Sequence, residues 1–301
     1  MAEPVRPNLI GESFLLPIIS GGRFRSQDER LGIVLRAYHR AGAGTVDTLI
    51  RCAQDLAEGH ADHAAVQWLR TIIEASDDII ELMRIADFLP QNTLSLRELA
   101  VDIQGRIVAV LRVAADQQPD AFTPDLAMSL NNLANRLSAL GRREEALAAA
   151  EDAVRLRRTL AATRPDAFTP DLAGSLNNLA NRLSDLGRRE EALAAAEDAV
   201  RHYRTLAATR PDAFTPDLAM SLSVLGDMLE ALGRSLDAVS MDEEAVCLLR
   251  PYFLRQPTAF AEAILVYAQD YIRRCELAGR EPDAALLEPI AEVLSDGHTD
   301  Q

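Results

Sequence analysis

The sequence contains no lysine: all 31 basic residues among its 301 are arginine. That absence removes the lysine of a nucleotide-binding loop, any Schiff base and any serine–lysine nucleophile pair. Cysteine is scarce. Cys52, Cys247 and Cys275 lie far apart within helical patterns, which fits reduced thiols and excludes a disulfide framework. Aromatic residues make up only 5% of the chain, as expected where Leu and Ala pack helix against helix. No run of 18 or more apolar residues occurs, and the first residues lack a basic segment followed by an apolar core. A soluble, cytoplasmic protein with no membrane partner is therefore expected. GxSxG, HExxH and CxxC are missing as well. No catalytic residue, cofactor or metal is expected, and the chain reads as a non-enzyme.

The net charge of −15 opposes the phosphate backbone, so nucleic acid is not an expected partner. The charge is uneven. Residues 119–210 carry 13 acids and 13 Arg, whereas residues 211–301 carry 17 acids and six Arg. The acidic last third favours solubility and basic partners.

What the chain has in abundance is itself. Residues 119–164 recur at 165–210 with 42 of 46 positions identical, and a diverged third copy fills 211–256. A fixed period of this length marks a solenoid, built by stacking one supersecondary unit. In the first copy Leu126, Leu130, Leu133, Leu137 and Leu140 form one apolar helical stripe. Thr123 and Pro124 read as an N-cap and the first helical residue, and Asp125 as a favourable charge on the dipole. Gly141 ends this helix, and a second runs from Arg142 to Thr163, where Pro165 forbids continuation. Each copy is a helical hairpin, with Ala134, Ala146, Ala150 and Ala153 where the two helices approach closely.

A fourth, weaker copy at 257–295 places Pro257, Phe260, Ile264, Tyr271, Gly279 and Ala284 on the same grid. Residues 94–116 align with the second helix of a repeat, while 77–89 fits poorly as its partner. The array is read as 77–295, with imperfect units at 77–118 and 257–295, a tail at 296–301, a helical region at 27–76 and an extended lead-in at 1–26.

The pattern Leu133-Ala134, Leu137, Gly141, Glu144-Glu145-Ala146-Leu147 and Ala153, repeated at Leu179-Ala180, Leu183, Gly187, Ala192 and Ala199, resembles the tetratricopeptide repeat. The unit is 46 residues rather than the family's shorter period, and the family's aromatic positions are Leu130, Leu137 and Ala150. Both departures, with the string LNNLA, resemble the long-helix repeats of kinesin light chains and bacterial signalling proteins. The resemblance implies an all-α, right-handed α-solenoid whose first helices line a concave, peptide-binding groove. Nearer the start, Arg6-Pro7-Asn8-Leu9-Ile10-Gly11-Glu12, Leu89-Pro90 and Ser95-Leu96-Arg97-Glu98-Leu99-Ala100 resemble segments of STAND-type signalling ATPases. That resemblance implies the C-terminal sensor arm of such an ATPase, with its motor outside this chain, or a relative that lacks the motor.

Asparagine is a mediocre helix former, so Asn131, Asn132 and Asn135, repeated as Asn177, Asn178 and Asn181, require a reason. Two fit. By the resemblance, Asn131, Asn135, Ser138, Asn177, Asn181 and Ser184 project into the groove, where carboxamides donate to and accept from a peptide backbone. Alternatively the asparagines bond between repeats and hold the stack, the role that helical phase favours for Asn132 and Asn178. In the third copy Ser223 and Asp227 take the groove positions, and Asp227 suggests a ligand with a positive group. Arg136 and Arg182 suit either a ligand carboxylate or plain solvation. His60, Asp62 and His63 have helical metal spacing but no further ligands nearby, so a solvated turn at Gly59 is the better reading. A self-assembling scaffold remains the rival to the peptide-binding module. The sequence leaves the ligand and the oligomeric state unassigned.

Overall fold

The computed structural model describes residues 26–56, 64–76, 78–88 and 94–296. The strings at 6–12 and 89–90, the metal-like triplet at 60–63 and the lead-in and tail lie outside those residues, apart from Ser26 and Asp296. The described residues form an all-α fold without strands. Its helices are α1 (Gln27–Ala41), α2 (Ala43–Leu56), α3 (Ala64–Ala75), α4 (Ile79–Phe88), α5 (Leu94–Gln117), α6 (Pro119–Ala139), α7 (Arg143–Thr163), α8 (Pro165–Asp185), α9 (Arg189–Thr209), α10 (Pro211–Ala231), α11 (Ser235–Arg255), α12 (Pro257–Leu277) and α13 (Ala284–Asp296). None is long and apolar enough to cross a membrane. The chain divides into two compact units, Met1–Arg142 and Arg143–Gln301.

In the first unit α1, α2 and α3 pack in turn, α3 and α4 both pack on α5, and α5 packs on α6, burying Val34, Leu49, Trp68, Leu69, Leu82 and Ile103. Polar bonds fasten the edges. Arg70 Nε donates to Asp102 at 2.7 Å, joining α3 to α5, and Gln104 Nε2 donates to the Ser129 carbonyl at 3.1 Å, joining α5 to α6.

In the second unit, α7 to α12 pack consecutively as a solenoid. Ala180 on α8 and Ala192, Ala196 and Ala199 on α9 are fully buried, so methyl-sized side chains let the two backbones come close. The proline-led helices α6, α8 and α10 begin five residues before the expected Thr-Pro cap. Pro119, Pro165 and Pro211 occupy the first helical turn, and Pro124, Pro170 and Pro216 lie inside the helix. A proline at the first position costs no hydrogen bond and presets φ, so the PDAF string starts the helix ahead of the cap expected at Thr123.

The ends are set by glycine. In α8 the Gly187 N–H donates to the Ser184 carbonyl at 2.9 Å and the Arg188 N–H to the Leu183 carbonyl at 2.9 Å, the two bonds of a Schellman motif. This requires a left-handed residue, and Gly187 has φ 73°. The fourth helical pair departs from the grid. Ala284 is exposed, whereas its counterparts Ala192 and Ala238 are buried; α13 instead buries Leu286 and Ile290. Pro282 lies in the coil before α13, which begins at Ala284 rather than where the earlier second helices would start, and the helix docks on both α11 and α12.

Gly187→Ala forces an L side chain into the left-handed region at a cost of roughly 1 kcal/mol. Thermal unfolding should show a drop of about 2–4 °C in Tm.

Candidate functional site

The proline-led helices each turn one row away from the core. On α6 the row is Met128, Asn132 and Asn135, all exposed. On α8 it is Gly174, Asn178 and Asn181, all half-buried, and on α10 it is Asp217, Met220, Val224 and Asp227. Val266, Asp270 and Arg273 continue it on α12.

This row corrects the phase assigned to the asparagines. Asn132, expected on the packed side, is exposed, while Asn131 is half-buried. Asn177, expected in the groove, is only 3% exposed, and its Nδ2 donates to Ser221 Oγ on α10 at 2.6 Å. It bonds one repeat to the next. The signal was present in the sequence: Asn131 lies four residues after Ala127 and three before Ala134, both buried, so it shares their side of the helix. Ser223 is likewise buried. Ser138 and Ser184 are half-buried at the helix end, where their carbonyls accept the Gly141 and Gly187 N–H groups. Arg136 is half-buried, and Arg182 pairs with Asp185 at 3.5 Å.

The positive group facing Asp227 belongs to the chain. Arg274 on α12 is 1% exposed, and its Nη1 donates to both oxygens of the fully buried Asp242 at 2.6 Å. Its Nε donates to Glu230 Oε2 at 2.7 Å and its Nη2 donates to Asp227. Arg273 Nη1 grips the same Glu230 at 2.5 Å and its Nη2 reaches Asp270 at 3.1 Å. Two arginines thus hold four carboxylates. Hydrogen bonding from Arg273, with that from Arg274, holds the Glu230 carboxyl down at about 2 against partial burial. Burial pushes Asp242 up to about 7 and raises Asp227, with Arg274 opposing both.

The cluster depends on Gly226. A Cβ there would stand 2.6 Å from Arg274 Nη1 and 2.8 Å from Asp242 Oδ1. One repeat earlier the counterparts of Gly226 and Asp242 are Ala180 and Ala196, the close helix contact, and the counterpart of Arg274 is Met228. An apolar contact is thus replaced by a buried ion pair, whose arginine also bonds Asp227 of the exposed row and the half-buried Glu230. None of this was read from the sequence, because Arg274 lies 32 residues from Asp242 and 47 from Asp227.

On the opposite side, a cleft of about 610 Å³ between α11 and α13 is lined by Glu243, Glu244, Cys247, Arg250, Asp283 and Leu286. Its charges are occupied in fastening helices. Glu243 pairs with Arg280 at 2.8 Å, Glu244 with Arg204 at 2.7 Å, and Arg250 donates to the Ala285 carbonyl at 3.1 Å. Cys275 is buried, which raises its thiol, and Cys247 is exposed. Among the described residues no group of three His, Cys, Asp or Glu could hold a metal ion.

Residues 126–162 and 172–207 match the tetratricopeptide repeat. Solved structures of similar fold include a putative kinesin light chain from Podosopora anserina, with nearly identical repeats of the same type. It is 20% identical, with 69% of this chain and 94% of that one covered and a TM-score of 0.47. BtubC (BKLC) from P. vanneervenii is 16% identical over 92% of this chain and 94% of its own, at 0.49. The TPR2AB domain of yeast Sti1, solved with an Hsp90 peptide, is 13% identical over 89% and 98%, at 0.36. No curated protein sequence matches the chain at a significant level.

Asp242→Ala strands a buried guanidinium and should cost about 3 kcal/mol or more. Combining Gly226→Ala, Asp242→Ala and Arg274→Met restores the apolar contact of the earlier repeat. Denaturant unfolding should show stability equal to or above the parent, and a triple variant less stable than Asp242→Ala would contradict the account.

Proposed function

We propose that the chain is a non-enzymatic module that binds an extended protein segment along the outward rows of α8, α10 and α12. Repeats of this family form a fold typical of protein–protein interaction modules, and the observation that carries the reading is the chemistry of the rows. They are not a uniformly charged, solvated face. On α10 and α12, Met220 and Val266 remain 39% and 46% exposed, and they alternate with groups that donate and accept hydrogen bonds. An extended peptide requires that mixture, with apolar anchors for its side chains and carboxamides for its backbone. Asn178 and Asn181 serve the backbone, and Asp227, held by Arg274, adds a fixed acceptor. Asn177 and Ser223 serve the stack. The wider role, as a sensor or scaffold arm of a signalling system, rests on the short strings of the first quarter.

The test is a displayed peptide library panned against the whole chain. The best binders are then measured against Asn178→Ala, Asn181→Ala and Asp227→Asn variants. Each substitution should weaken binding by about 1 kcal/mol, roughly fivefold. Binding that ignores all three but fails with Glu244→Ala would move the site to the α11–α13 cleft.

A further inference from the structure

The near-identical copies differ at four positions, and two of those differences meet in space. Arg157 on α7 is buried, and its Nη1 pairs with Asp171 Oδ2 at the start of α8 at 2.6 Å. One repeat on, Tyr203 replaces Arg157 while the acid is retained as Asp217. The Tyr203 hydroxyl cannot replace the lost cation. It donates its single proton to the Pro170 carbonyl at 3.3 Å, lying where a Cβ on Gly174 would come within 3.3 Å of it. Among the described residues no arginine pairs with Asp217 and no donor bonds its side chain.

A second tyrosine feels the same acid. Tyr267 on α12 occupies the grid position of Ser221 and is buried. The charge of Asp217 reaches both phenols: Tyr267 is pushed up to about 12 by burial and then by Asp217, and Tyr203 is raised by the same two causes in the same order. Burial in turn raises the Asp217 carboxyl, with no cation to oppose it. Asp217 is half-buried and opens onto the outward row beside Met220. A half-buried carboxylate that lacks the cation its counterpart holds, beside a tyrosine in that cation's place, is a recognition site for a cation, by ion pairing and by attraction to the ring.

We infer that Asp217, with Tyr203 and Tyr267, binds a guanidinium group, an arginine side chain of the segment lying along α8, α10 and α12, which takes over the ion-pairing role that Arg157 plays for Asp171 one repeat earlier. The inference rests on the peptide-binding reading for its ligand. The site itself is defined by the chain's own ion pair at Arg157 and Asp171. Planar guanidinium suits it better than ammonium, since it can stack on a ring while donating to the carboxylate.

The probe is N-acetyl-arginine amide, titrated to about 10 mM into whole protein carrying ¹³C-labelled tyrosine, with the uncharged citrulline analogue as control. Arginine amide should shift the Tyr203 and Tyr267 ring signals, and the citrulline analogue should bind at least tenfold more weakly. Asp217→Asn should lose the response. Tyr203→Arg should also abolish it, by supplying the cation from within; Arg157 shows that this position accepts arginine, and a thermal melt confirms folding. No ring shift in the parent protein, equal binding of the citrulline analogue, or full binding by Asp217→Asn overturns the proposal. The panned peptides separate this inference from its premise. Selected peptides without arginine, together with a silent probe, remove the cation site and leave the groove standing. A positive probe with no selected peptide removes the groove and leaves the cation site standing.

Discussion

The close approach of alanine to alanine inside each helical pair is the constraint on which the rest of the second unit depends. Ala180, Ala192, Ala196 and Ala199 offer nothing larger than a methyl group, so the spacing of α8 and α9 is set by backbone contact. That spacing fixes which row of α8 faces outward and where α10 lands. Asn177 can then reach Ser221 across the repeat boundary, and Arg157 can reach Asp171. Where the third repeat abandons alanine, glycine replaces one partner and an Asp–Arg pair fills the volume. The position remains too tight for a Cβ at Gly226. A buried ion pair is seldom a gain in stability over a well-packed apolar contact. Its visible effect here is positional, since Arg274 also bonds Glu230 and Asp227.

Much of this architecture was legible in the sequence. The period, the leucine stripe and the glycine at each helix end are local signals, and each follows from helix geometry or from the freedom of glycine to take positive φ. The helix starts were misjudged because two prolines five residues apart both suit a first turn, and choosing Thr123 overlooked Pro119. The asparagine phase was misjudged by one residue, enough to exchange a stacking side chain for an exposed one. Long-range partners were not legible at all. Arg274, Asp242 and Asp227 meet only because the repeats stack, and no local pattern marks three residues so far apart as neighbours.

Divergence between the copies carries information that their identity conceals. Gly174 and Tyr203 changed together and touch, as expected when a larger ring needs the space a side chain has vacated. The change also leaves Asp217 without the partner that Asp171 retains. The α8–α10 stretch thus combines neutral carboxamides, an exposed methionine and one uncompensated acid, and the α10–α12 stretch combines apolar residues with carboxylates anchored by arginine. A duplicated repeat provides the geometry, and a few substitutions give each segment of the row its own chemistry.

The central claim is that ligand lies on the outward rows of α8, α10 and α12. The most direct measurement is photo-crosslinking of a selected peptide to the whole chain, with the attached residues identified by mass spectrometry. Attachment along Gly174, Asn178, Met220, Val224 and Val266 is the predicted result. Attachment confined to Cys247, Leu248 and Leu286, in the cleft between α11 and α13, would contradict it.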